Sequence, residues 1–101
     1  MKPGRIDFAR INAAALSALP AILNRFAPGG SVRAGEWSGR NPRRSDRKPG
    51  SFKVNVRTGL WADFAASESG NDPVSLVAYL TGLPMGETAK KLADMLGVPH
   101  G

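Results

Sequence analysis

Hydrophobic positions in the first quarter of the chain recur at helical spacing. Phe8, Ile11, Ala15, Ala18, Leu19, Ile22, Leu23 and Phe26 fall mostly three and four residues apart, which gathers them on one face of an α-helix. Asp7 precedes the run as an N-cap. Pro20 interrupts it, and a proline there either kinks one helix or opens a second at its first position. The reading adopted is two short helices, 7–18 and 20–26, ended by Ala27-Pro28-Gly29-Gly30.

The period then changes. Val32 and Trp37 among small residues give a weak pattern, with a strand expected near 36–40. From Ser51 to Phe64 the chain reads as a β-hairpin. A two-residue turn would mix polar and apolar residues on both faces. A three-residue turn, Arg57-Thr58-Gly59 with glycine left-handed, sorts them. Phe52, Val54, Val56, Leu60, Ala62 and Phe64 then share one face, and Lys53, Asn55, Trp61 and Asp63 the other. That register is adopted, and it sets the Trp61 indole on the polar, basic side of the sheet.

A loop of small residues, 65–71, leads to Asp72-Pro73, an aspartate cap followed by proline at the first helical position. The helix it opens carries Val74, Val77, Ala78 and Leu80 and stops at Gly82. A last helix, Met85 to Leu96, buries Ala89, Leu92, Ala93 and Leu96, leaves Lys90, Lys91 and Asp94 outside, and ends at Gly97. The expected fold class is α+β: one domain over 1–101, with a small antiparallel sheet of three or four strands. It divides into a helical brace (7–26), a basic loop and hairpin (36–72) and two covering helices (73–97).

Composition narrows the classes of function. A chain of 101 residues with 42% hydrophobic and 22% charged positions forms one small domain, too small for a large enclosed enzyme pocket. It has no cysteine, so neither a disulfide nor a thiolate zinc site is expected, and a cytoplasmic setting fits. No apolar run approaches the roughly 20 residues of a membrane span. The stretch Ala13 to Leu23 follows Asp7 and Arg10 and is helically patterned, unlike a signal-peptide core. The net charge is +6, and its placement matters more than its size. Arg33, Arg40, Arg43, Arg44, Arg47, Lys48, Lys53 and Arg57 face only Glu36 and Asp46 between positions 33 and 57, so this segment holds the whole excess. A positive field confined to one segment points to a polyanionic partner; the plainer reading is a solvated, charge-rich loop.

The ordered run Asn41-Pro42, Asp46-Arg47-Lys48-Pro49-Gly50-Ser51-Phe52-Lys53-Val54-Asn55, Thr58-Gly59-Leu60-Trp61-Ala62-Asp63-Phe64 and Gly70-Asn71-Asp72 resembles the N-terminal zinc-ribbon domain of bacterial and phage DNA primases. It is most similar to the cysteine-free form at the front of primase–helicases of plasmids and integrated elements. The resemblance covers about positions 37–97. It sets the metal-ligand positions near Asn41 and Arg44 and near Asp63 and Ala66. None of these is cysteine or histidine, so no metal is carried over and no cofactor is expected. The resemblance implies a domain, usually part of a longer chain, that holds template DNA for a priming enzyme.

The candidate site residues follow from charge and hairpin together. Arg40, Arg43, Arg44, Arg47 and Lys48 are expected to reach phosphates. Lys53, Asn55 and Arg57 flank Trp61, whose indole has two readings: a stacking platform for a base, or a ring packed under a terminal helix. Trp37 has the same two readings. Asp63, Glu68 and Asp72 are not taken as a catalytic carboxylate set, since no base, nucleophile or phosphate loop accompanies them. Asp72 reads as a cap, Glu68 as loop surface, and Asp63 as a cross-strand partner of Lys53. His100 reads as part of an inert tail. The expected function is non-catalytic: binding single-stranded or template DNA without strong sequence preference, in support of priming. The alternative is a protein-docking module joining primase to helicase.

Overall fold

Asp7, Asp72-Pro73, Gly82 and Gly97 each mark the helix end that the sequence assigns to them. The computed structural model describes residues 5–42 and 51–101. Helix α1 (Phe8–Ser17) is capped by the Asp7 carboxylate, which accepts from the Arg10 N–H at 3.0 Å. Ala18 separates it from α2 (Leu19–Phe26), which carries Pro20 in its first turn. Helix α3 (Pro73–Thr81) starts on Asp72, whose side chain accepts from the Ser75 N–H at 2.8 Å. It ends at Gly82, and α4 (Met85–Leu96) ends at Gly97; both glycines are left-handed, at φ 76° and 71°, where a side chain would be strained.

The sheet has five antiparallel strands rather than the three or four expected. They are β1 (Ser31–Arg33), β2 (Glu36–Gly39), β3 (Phe52–Asn55), β4 (Trp61–Asp63) and β5 (Glu68–Gly70), paired in chain order. The unpredicted strands are the edges β1 and β5. Each is three residues long, β1 is exposed throughout, and neither is long enough to display a period of two. Ala34 and Gly35 close the first hairpin with φ of 51° and 80°, the positive pair that a two-residue turn matched to strand twist requires.

The hairpin register departs from the expected one by a single residue. Phe52 faces Asp63, Lys53 faces Ala62 and Val54 faces Trp61. The connection is a four-residue loop, 56–59, rather than Arg57-Thr58-Gly59. Asn55 causes this. Its side-chain oxygen accepts from the N–H groups of Arg57 (2.9 Å) and Thr58 (3.1 Å), and its backbone carbonyl accepts from Gly59 N–H (2.8 Å). That local turn chemistry outweighs the tidier segregation of the longer pattern. A slip of one residue exchanges the faces, so Trp61 and Asp63 point into the core while Leu60 and Phe64 point out.

The helices cover one face of the sheet. Phe52 and Trp61 meet Tyr79 of α3 there: Phe52 stands edge-on to both Trp37 and Tyr79, and Trp61 stacks on Tyr79 with ring centroids 4.9 Å apart. Both indoles are seated on glycine. A Cβ on Gly30 or Gly39 would lie within 2.6 Å of the Trp37 ring, and one on Gly70 at 2.5 Å from Trp61 Nε1. Behind α3, Ile11, Ala15, Leu76, Leu80, Ala89 and Leu92 complete the core. The Asn12 side chain accepts from Val74 N–H at 2.9 Å, tying α1 to the start of α3. No helix among the described residues is long and apolar enough to cross a membrane.

Candidate nucleic-acid interface

The face of the sheet turned away from the helices forms the candidate site. Alternation along the strands brings Glu36 and Ser38 of β2, Lys53 and Asn55 of β3, Ala62 of β4 and Ser69 of β5 to this side. Leu60 and Phe64 flank Ala62 on the same side, 53% and 67% exposed. Small Ala62 between two large apolar neighbours leaves a depression of about 320 Å³, with Glu36, Lys53, Asn55 and Ser69 on its walls and Trp61 and Gly70 also contributing. The Lys53 ammonium lies 3.5 Å from the Glu36 carboxylate, and both groups are about half exposed. An exposed pair of this kind contributes at most about 1 kcal/mol and opens readily for a ligand.

The expected site residues fall into four groups. Lys53 belongs to the open face. Asn55 is exposed, but its oxygen is engaged in the turn, leaving its amide N–H groups as donors. Arg40 and Arg57 are exposed at opposite ends of the sheet: Arg40 follows β2, and the Arg57 guanidinium lies over Gly35, where a Cβ would come within 3.0 Å of it. Arg43, Arg44, Arg47 and Lys48 lie outside the described residues.

Trp61 is corrected. It is 6% exposed and donates its indole N–H to the Ser75 hydroxyl at 3.0 Å, so it packs under α3 and offers no platform. Trp37 is likewise buried. The exposed aromatic ring on this face of the sheet is Phe64, which the hydrophobic pattern assigned to the opposite, apolar face. The signal for it was the sequence Asn55-x-x-x-Gly59, in which asparagine's turn-forming habit fixes a loop one residue longer than the hydrophobic pattern suggests.

Asp63 is corrected as well. It is fully buried rather than paired with Lys53, and accepts from the Tyr79 hydroxyl at 2.7 Å and from the Asn41 amide at 3.3 Å. Asn41 and Asp63, one from each ligand pair that the resemblance assigns, thus touch directly. Ala66 N–H donates to the Asp63 carbonyl at 3.1 Å, closing the turn after β4. No group of three or more His, Cys, Asp or Glu side chains converges among the described residues. Asp72 is a cap, Glu68 sits exposed on β5, and Lys90 and Lys91 are exposed on α4. His100 is engaged: its ring lies 2.7 Å from the Asp94 carboxylate, and its carbonyl accepts from Asp7 N–H at 2.8 Å.

Compared with protein-family models and with curated proteins, the chain matches none.

Proposed function

We propose that this chain is a nucleic-acid-binding module that holds single-stranded or template DNA while another domain or protein carries out priming. The strand lies across the open face of the sheet, and the module itself is non-catalytic and needs no metal. A cytoplasmic role in the replication of a mobile element follows from the resemblance to the cysteine-free primase domains.

The observation that carries this reading is Phe64. Phe64 and Leu60 together present exposed apolar surface on a sheet face that the helices leave open, and a nucleobase is a flat partner that stacks on such a ring beside cations. Lys53 stands on the same face, and Arg40 and Ser51, which bracket the most basic stretch of the sequence, stand at the Phe64 end of the sheet; Ser51 accepts from Phe64 N–H at 2.8 Å. Phosphates then meet Arg40, Arg43, Arg44, Arg47, Lys48 and Arg57 while bases meet the sheet.

Fluorescence anisotropy of a labelled single-stranded oligonucleotide, titrated at several salt concentrations, tests the proposal. Affinity should fall steeply with salt, as counterion release requires, and Phe64→Ala should weaken it. No binding at low salt overturns the reading. Retention of a primase or helicase domain in place of DNA would establish the docking alternative.

A further inference from the structure

We propose that the depression on the open face recognises a guanine of the bound strand, through Glu36 and Lys53 acting as a pair. This rests on the nucleic-acid reading above and adds a base preference to it.

The starting point is a charge of the wrong sign. Glu36 is the acidic residue lining the depression, on a segment that otherwise carries the chain's whole positive excess. Against phosphates a carboxylate is repulsive. Against a base edge rich in N–H donors it is a strong acceptor, because a carboxylate offers two oxygens side by side. Guanine is the base that presents two adjacent donors, N1–H and the N2 amino group, with the O6 acceptor next to them. The Lys53 ammonium, 3.5 Å from the Glu36 carboxylate, is the neighbouring donor that O6 needs.

The other bases fit less well. Thymine offers one donor between two carbonyls, and adenine and cytosine each offer one amino group, so none engages both carboxylate oxygens through adjacent donors. The floor suits a base: Ala62 is small, and Leu60 and Phe64 rise on either side of it. The existing ion pair is half exposed and solvated, so exchanging part of it for base contacts costs little.

The test uses the whole chain and oligothymidylates that carry one central guanine, hypoxanthine, adenine or cytosine, with binding read by anisotropy. Hypoxanthine keeps N1–H and O6 but lacks the amino group. The guanine oligonucleotide should bind about fivefold or more tightly than the hypoxanthine one, within the range of a bidentate base contact. Glu36→Gln should erase that gap, because an amide offers one acceptor where the carboxylate offers two. Equal binding of guanine and hypoxanthine by the native protein overturns the proposal without requiring any variant. A gap that survives in Glu36→Gln overturns the role of Glu36. If no oligonucleotide binds at all, the underlying nucleic-acid reading fails and this inference fails with it.

Discussion

Trp61 donates its indole N–H to the Ser75 hydroxyl at 3.0 Å, and Ser75 donates in turn to the Asp72 carbonyl at 2.9 Å. One side chain therefore joins the central hairpin to the first turn of α3. Its ring also stacks on Tyr79 and packs near Phe52. Trp61→Ala should cost about 3–5 kcal/mol of stability, seen as a lowered denaturant midpoint. A variant as stable as the native protein would refute the observed register.

Phe64 gives the opposite expectation. Because most of its ring is exposed, Phe64→Ala should change stability by less than about 0.5 kcal/mol. If bases stack on it, the same change should cost about 1–3 kcal/mol of single-strand binding. Unfolding and anisotropy measurements on this one variant separate the two effects. Unaltered affinity would remove the aromatic ring from the interface.

The contrast between these residues shows what the sequence carries and what it hides. Helix limits were legible because they depend on local chemistry: Asp7, Asp72-Pro73, Gly82 and Gly97 each act within one turn. The face that β4 presents depends on a single-residue choice of loop length. There the hydrophobic pattern favoured burying Leu60, Ala62 and Phe64, while the Asn55 turn favoured burying Trp61 and Asp63. The aromatic cluster with Tyr79 and the glycine seats at Gly30, Gly39 and Gly70 make the second arrangement pack, and both are long-range facts. Which side chains the outer face of the sheet presents was not legible, because that follows from the same one-residue choice.

The most basic stretch supplies a prediction from charge alone. Replacing Arg43, Arg44 and Arg47 together by alanine should weaken binding about equally for different sequences. It should also flatten the slope of log affinity against log salt by up to about two or three units, roughly one for each phosphate that is no longer neutralised. Titrations of native and triple-variant proteins across a salt series measure both. An unchanged slope would make these arginines a solvated surface.

The Asn41–Asp63–Tyr79 contact leads to the last prediction. Asp63 is fully buried at the end of β4, and the Tyr79 hydroxyl reaches it from α3 at 2.7 Å while the Asn41 amide reaches it at 3.3 Å from the chain that follows β2. Three separate stretches of chain meet at one carboxyl group. A metal ion joins chain segments in much the same way, but here hydrogen bonds among protein groups do the joining. Two results should follow. Tyr79→Phe keeps the aromatic stack on Trp61 and removes only the hydroxyl, so it should cost about 1–2 kcal/mol, the worth of a buried hydrogen bond to a carboxyl. Excess EDTA should leave the thermal transition of the native protein where it was, because Asn41, Arg44, Asp63 and Ala66 at the assigned ligand positions include no cysteine or histidine. A large fall in melting temperature with chelator, alongside a neutral Tyr79→Phe, would mean that a metal holds this joint and the hydrogen bonds do not.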